Sequence, residues 1–143
     1  MKDFDIDKIK EPGGEYDAQK DFTTLACWSK AREVKLFFLH DILPKLPQEE
    51  KFGLGNQIRS AIISTTANIA EGYGRFHHQE SIQFYRISRG SLYELKDHLI
   101  TCLDYKFISD EIFKDGTDKI EKAKISLGGY INYKRKQIIK DKA

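Results

Sequence analysis

Apolar residues recur at every third or fourth position through most of the chain, in four segments separated by short breaking stretches. This spacing is typical of amphipathic helices, because it places the apolar side chains on one helix face. No segment shows the strict alternation expected of a half-buried strand. The pattern therefore predicts four helices, over about residues 22–43, 47–74, 78–105 and 110–138.

Residue types that favour helix ends stand at the predicted borders. Thr23 or Thr24 is placed to cap the first helix, and Ser109 is placed to cap the fourth. Gly72 and Gly74 are expected to end the second helix, since glycine adopts the left-handed C-terminal cap conformation at little cost. These borders leave connections of only a few residues between successive helices.

The predicted fold class is all-α, an antiparallel up-down-up-down four-helix bundle over residues 22–143. Helices of about 22–28 residues are roughly 33–42 Å long at 1.5 Å per residue, and short connections force neighbouring helices to be antiparallel. Residues 1–21 contain Pro12-Gly13-Gly14 and little apolar spacing. We therefore expect an irregular N-terminal arm there.

Two features depart from a simple bundle pattern. Gly90 lies in the middle of the third predicted helix, where glycine costs about 1 kcal/mol relative to alanine. We expect a neighbouring helix to approach closely at this point. The run from Leu36 to Leu39 is too continuous to face one core, so the first helix is expected to bury a second surface as well.

Composition narrows the class of protein. Hydrophobic residues make up 40% of the chain and charged residues 32%, which argues against a wholly disordered protein. The apolar runs fall far short of the roughly 20 residues of a membrane-spanning helix, and the acidic start lacks a secretory signal. Cys27 and Cys102 form no Cys-x-x-Cys motif. These features predict a reduced, cytoplasmic protein that does not associate with a membrane.

Charge is unevenly distributed along the chain. The total is +2, but residues 1–21 carry −3 and residues 130–143 carry +4. The acidic start and the basic end are expected to be two solvated tails; alternatively, they pair with each other or with other molecules. The candidate nucleic-acid contacts are Lys30, Arg32, Lys35, Arg75, Lys134, Arg135 and Lys136.

The sequence predicts neither a metal site nor a catalytic site. Glu94, His98 and Cys102 share one face of the third helix and, with Cys27, could imitate a zinc site. We favour the alternative that the cysteine is a small core residue and that the other two lie at the core's edge. Histidines 77 and 78 are expected to face solvent, and no nucleophile motif is present. We therefore expect no enzyme activity, cofactor or metal.

Polar and small residues are concentrated where the second and third helices face each other. They are Asn68, Glu71, Gly72, Gly74, Gly90, Ser91 and Glu94. Two interpretations stay open: a hydrogen-bonded network that holds the helix hairpin together, or a binding site at that end of the bundle. A phosphate loop does not fit, because the glycines close a helix where such a loop would open one.

These residues carry a family resemblance. The stretch from Gln57 to Ala61, followed by Ser64 and the string from Asn68 to Arg75, resembles the central motif of the four-helix-bundle proteins encoded in 23S ribosomal-RNA intervening sequences. Further matching positions are Trp28, Ala31, Pro47, Glu50, Phe52 to Leu54, Phe84, Gly90 to Leu92 and Glu94. The resemblance extends over about residues 22–138, and the N-terminal arm departs from it.

The resemblance implies a bacterial four-helix bundle that assembles as a ring-like homopentamer. It also implies a distant kinship with the accessory bundle proteins of diversity-generating retroelements, which bind nucleic acid and a reverse transcriptase. No catalytic residue comes with the family. The leading hypothesis is a non-enzymatic, oligomeric bundle that binds RNA or assists a nucleic-acid-processing partner. The alternative is a protein-interaction scaffold without nucleic-acid affinity.

Overall fold

The computed structural model of the chain describes residues 10–11, 14–15 and 20–142. The predicted irregular arm, residues 1–21, therefore lies largely outside the described residues. In the described part of the arm, Lys10–Glu11 (β1) pairs antiparallel with Gly14–Glu15 (β2). This two-residue ladder was not predicted, because a strand so short has no alternating pattern to detect.

Four α-helices follow the arm, and the predicted antiparallel four-helix bundle is confirmed. They are α1 (Ala26–Phe37), α2 (Leu54–Tyr73), α3 (His78–Asp104) and α4 (Asp110–Lys142). Each helix packs against its neighbours in sequence, and α4 returns to pack against α1. None of the helices in the described part of the chain has both the length and the apolar character needed to cross a membrane.

The first predicted helix is divided into several pieces. A 3-10 turn at Phe22–Thr24 precedes α1, and a π-helical turn at Phe38–Ile42 follows it. The π turn inserts extra backbone into the helical repeat, and both Phe37 and Phe38 are buried in the core. Leu39 remains exposed. Most of the apolar run is therefore accommodated within one core.

The structure corrects how two helices begin. Asp21, not Thr23 or Thr24, caps the first turn, since its carboxylate accepts a hydrogen bond of 2.9 Å from the Thr23 backbone N–H. The second helix begins at Leu54 and not near Pro47, because a 3-10 turn at Gln48–Glu50 comes first. At α4 the predicted cap is confirmed: Ser109 Oγ accepts a 3.2 Å hydrogen bond from the Ile112 N–H.

The end of α2 is predicted correctly, but for a different reason. The helix ends at Tyr73, yet Gly74 has φ −77° and ψ −6°, which is right-handed. The expected left-handed cap is therefore wrong. The Gly74 N–H instead donates to the carbonyls of Ala70 and Glu71, at 3.2 and 3.1 Å, and so continues the helical hydrogen bonding.

Two helical glycines, Gly90 and Gly116, differ in how closely neighbouring helices approach them. Among the residues that the structure describes, no other group lies within 4 Å of where a Gly90 Cβ would be. The expected close approach of a neighbouring helix is therefore wrong within this chain. The close approach occurs at Gly116 instead, where a Cβ would lie 2.6 Å from Phe37 Cε2 and 2.8 Å from Leu99 Cδ2. Only tertiary packing distinguishes these two helical glycines.

Candidate functional site

Hydroxyl and amide groups join α2 to α3 along their shared face. Asn68 Nδ2 donates to Ser64 Oγ at 2.8 Å, and Ser91 Oγ donates to the same oxygen at 2.7 Å. Deeper in the interface, Ser88 Oγ donates to the Thr65 carbonyl at 2.6 Å. The two serine bonds cross between the helices, which supports the interpretation of the motif as a structural network.

Arg75 holds together the end of α2 and the beginning of α3. Its guanidinium lies 2.7 Å from a Glu71 carboxylate oxygen and 3.3 Å from one of Glu80. It also lies over the ring of Phe84, 4.7 Å from the centroid. Exposed ion pairs contribute little to stability, so the clearest effect of these contacts is to fix the position of the connection between the helices.

Gly72 allows a tyrosine to enter the core at this end. A Cβ at Gly72 would lie 2.6 Å from Tyr85 Cε1 and 3.0 Å from the Ser81 carbonyl oxygen. The Tyr85 ring packs edge-on against Tyr130, with centroids 5.2 Å apart. Its hydroxyl is buried near the Tyr130 and Ser81 hydroxyls but makes no hydrogen bond of good geometry to the described part of the chain. Burial raises the pKa of the Tyr85 phenol, and the adjacent Tyr130 raises it further.

A cleft of about 420 Å³ opens beside the α2–α3 connection and the end of α4. Its lining residues are Phe76, His77, His78, Gln79, Ile138, Asp141 and Lys142. His78 is held between two α4 side chains: Nδ1 lies 3.4 Å from Lys134 Nζ, and Nε2 lies 3.7 Å from Asp141 Oδ2. An ammonium group can only donate, so Nδ1 of His78 accepts this hydrogen bond.

The fold brings one member of the predicted basic set, Lys134, to the cleft, whereas the Arg75 guanidinium is paired with Glu71 and Glu80. Arg75 precedes Phe76 of the cleft, and Lys134 reaches His78 beside it. Burial lowers the pKa of Lys134, whose ammonium is partly removed from water. Arg135 and Lys136 are exposed on the same stretch of α4.

The three basic candidates on α1 are engaged in other contacts. Lys30 pairs with Glu33 at 3.3 Å, and Arg32 lies over the Trp28 ring. Lys35 is half-buried and donates to Thr66 Oγ1 at 3.2 Å. This bond explains how a lysine fits the apolar stripe of the first helix.

Glu94, His98 and Cys102 occupy the places expected of a core and its edge. His98 is buried and pairs with exposed Glu94, whose Oε2 lies 2.9 Å from Nε2. Cys102 is buried near the end of α3, whereas Cys27 is buried near the start of α1, at the opposite end of the bundle. Burial raises both thiol pKa values to about 11.

Sequence reasoning missed the cleft. His77 is exposed as expected, but His78 is half-buried between Lys134 and Asp141, so its expected solvent exposure is only partly correct. The available signal was the aromatic residue Phe76 and two histidines directly after a helix end. Nothing in the sequence indicated that Lys134, 56 residues after His78, lies against them.

Comparison with known proteins identifies the family. The family model described as 23S rRNA-intervening sequence protein matches residues 23–129. These residues include α1, α2, α3, the cross-helix network and Arg75, and they end within α4. A comparison with curated proteins finds no match. The chain belongs to the family of 23S rRNA-intervening sequence proteins.

Proposed function

We propose that this protein is a non-enzymatic, oligomeric four-helix bundle that binds RNA at the end where α2, α3 and α4 form the cleft. The observation that carries the proposal is that Lys134, in the basic segment Lys134–Lys136, contacts His78 beside the exposed ring of Phe76, and that Lys142 lines the same cleft. Lysine and arginine neutralise phosphates, and aromatic rings stack on unpaired bases.

The net charge of a single chain is too small to attract RNA strongly. At +2, one copy produces a weak field. Assembly into a homopentamer would multiply that charge fivefold and place five copies of the basic α4 segment in one particle. The local field at converging basic ends would then attract RNA more strongly than a single copy does.

Two exposed faces support self-association. On α3, Ile87 is 51% exposed one turn from Gly90, whose surroundings are open, and on α2, Ile63 is 60% exposed. On α4, Ile125 and Tyr133 are exposed on either side of Gly129, which is also open. Mid-helix glycine costs about 1 kcal/mol relative to alanine, a cost that close approach of a second chain would offset. A ring requires two different surfaces on each copy, and these faces supply two.

RNA binding is tested by titrating a stem-loop RNA with single-stranded flanks across a salt series. The variant Lys134→Gln/Arg135→Gln/Lys136→Gln is expected to bind more weakly and with a shallower salt dependence. Removal of one phosphate contact reduces the steepness of the log–log salt dependence by about 0.7 to 0.9. The matched control, Lys45→Gln/Lys51→Gln/Lys114→Gln, removes the same charge at the opposite end and is expected to bind like the wild type.

Self-association is tested by sedimentation of the wild type and of Ile87→Glu at micromolar concentration. We expect the wild type to sediment as a pentamer and Ile87→Glu to dissociate, because a carboxylate cannot be buried unpaired in an apolar interface. Phe52→Glu, at a still more exposed position in the α1–α2 connection, is the control. A monomeric wild type would contradict the oligomer.

The second candidate function is a scaffold that binds proteins and not RNA. The exposed side chains of Ile63 on α2 and Ile87 on α3 favour it, because exposed apolar side chains supply the area that a protein interface buries. The two candidates differ in one measurement. An oligomer that shows no salt-dependent RNA binding would support the scaffold and contradict the RNA proposal.

A further inference from the structure

The cleft at the end of α4 is large enough to hold a small molecule. Its volume, about 420 Å³, falls within the range of roughly 300–1,000 Å³ typical of small-molecule sites. Its walls combine the aromatic ring of Phe76, the aliphatic side chain of Ile138 and the charged groups of Asp141 and Lys142. A cavity with this lining accommodates a ligand that has an apolar face and charged or polar edges.

Phe76 is presented to solvent by a short connection that is hydrogen-bonded at both ends. Its ring is 90% exposed and stands edge-on to His77, with centroids 5.3 Å apart. On one side Gly74 N–H bonds back to α2, and on the other Ser81 N–H bonds to the His77 carbonyl at 3.0 Å. The backbone on either side of Phe76 is therefore hydrogen-bonded to α2 and α3, and both ring faces are open to a ligand that stacks on them.

The charged groups around His78 favour an anion. Lys134 Nζ lies beside the imidazole, and Lys142 lines the cleft together with Asp141. Two ammonium groups therefore accompany one carboxylate. Because Lys134 is partly desolvated, an anion that reaches it interacts in a medium of lower dielectric than bulk water.

We infer that the cleft binds one unpaired nucleotide, its base stacked on Phe76 and its phosphate beside Lys134 and Lys142. The inference rests on the proposed RNA-binding function, since the nucleotide would be part of an RNA strand. An unpaired base exposes the ring face that a duplex buries, so this site recognises loops and strand ends. Gln79 and Asp141 offer hydrogen-bonding groups to the base edge.

The first experiment uses adenosine monophosphate as the probe and follows the His78 ring resonances by NMR. Saturable shifts are expected in the wild type and in Phe52→Ala, and their loss is expected in Phe76→Ala. Phe52 is 82% exposed at the opposite end of the bundle, so it controls for removal of an exposed phenyl ring. Absence of any shift of His78 in the wild type would overturn the site.

The second experiment compares a single-stranded RNA with a duplex of the same length. Phe76→Ala is expected to weaken single-strand binding roughly 5- to 150-fold, the equivalent of one base–aromatic stack, and to leave duplex binding within about twofold. Phe76→Trp, which keeps a stacking ring, is expected to restore it. Equal single-strand affinities for Phe76→Ala and Phe52→Ala would overturn the inference.

The two experiments separate this inference from the proposed function. If adenosine monophosphate shifts His78 but neither RNA binds, the cleft is supported as a site for free nucleotides and the RNA proposal fails. If RNA binds, but the nucleotide leaves His78 unchanged and Phe76→Ala binds like the wild type, the RNA proposal survives and the cleft inference fails.

Discussion

Each end of the bundle packs an aromatic ring against a helical glycine, but the two ends differ in the polar groups nearby. At one end, Gly116 leaves room for the Phe37 ring, and at the other, Gly72 leaves room for the Tyr85 ring. In both cases a helical glycine lets an aromatic ring lie almost against a neighbouring backbone. One buried cysteine accompanies each ring, Cys102 at the first end and Cys27 at the second.

The difference lies in the polar groups. At the first end, the groups closest to Gly116 are apolar and belong to Phe37 and Leu99. The Tyr85 end buries a hydroxyl that has no hydrogen-bond partner among the described residues, and the charged cleft opens nearby. A buried polar group without a partner costs about 1–3 kcal/mol. The two ends therefore differ in core polarity: apolar groups surround the glycine at the first end, and a hydroxyl is buried near the cleft at the second.

The largest effect is expected for Gly116→Val. Its Cβ would lie within 2.8 Å of Phe37 and Leu99, both held in a packed core. Overpacking costs about 1–3 kcal/mol and sometimes more, so we expect a loss of roughly 3 kcal/mol in urea unfolding. Gly128→Val is the matched control in the same helix, because no other described group lies near its Cβ position. Equal stabilities would contradict the tight contact.

A smaller loss, about 1–3 kcal/mol, is expected for Gly72→Ala. The Tyr85 ring can shift, but the Ser81 carbonyl, 3.0 Å from the new Cβ, belongs to the α3 backbone. Gly74→Ala, two residues away, is the control. It is expected to be tolerated, since its φ of −77° suits any residue. A similar loss in both variants would instead support a left-handed cap at Gly74.

A change in the other direction is expected for Tyr85→Phe. Removing a buried hydroxyl without a partner relieves its desolvation while the ring remains, so stability should stay equal or rise by up to about 1 kcal/mol. Tyr105→Phe, at an exposed position outside both proposed association faces, should change nothing. A clear loss for Tyr85→Phe in thermal unfolding would show that its hydroxyl has a partner in solution.

The buried cysteine thiols are expected to have the smallest effect on stability at neutral pH. Their effect grows at alkaline pH. The thiol pKa values of Cys27 and Cys102 are raised from 9.0 to about 11. The folded protein therefore holds these protons more tightly than the unfolded chain. The resulting stabilisation is complete below about pH 9 and is lost as the pH rises through about 11.

The same titration distinguishes the two ends. Burial also raises the pKa values of Tyr85 and Tyr130, which lie at the Cys27 end. We expect Cys27→Ala/Tyr85→Phe to flatten the decrease in unfolding free energy between about pH 9 and pH 11 more than Cys102→Ala does. Urea unfolding at several pH values measures this. Identical pH profiles would contradict the difference between the ends.

Much of the fold follows from local sequence. The 3–4 spacing of apolar residues predicted α3 almost to the residue, and Ser109 marked the start of α4. These predictions succeeded because helix periodicity and capping depend on residues within a few turns of one another. The borders of the first helix could not be predicted, because the π turn after Phe37 depends on packing of the core.

The candidate site was predicted only in part. The sequence drew attention to Asn68, Glu71 and Arg75, and to the basic segment of α4, but not to the fact that the segment's Lys134 contacts His78. The role of Gly90 was predicted wrongly, because its helical position does not reveal which neighbours are present. Such juxtapositions depend on how whole helices pack.

By itself, the sequence determined the all-α class, the number of helices, the antiparallel order and the family. These properties follow from the spacing of apolar residues, the short connections and a contiguous motif. Tertiary structure alone decided that Gly116 and Gly72 are packed while Gly90 is open, and that Phe76, His78 and the end of α4 form one cleft. The physical reason is that contacts between residues far apart in sequence depend on helix rotation and register, which the pattern of a single helix does not specify.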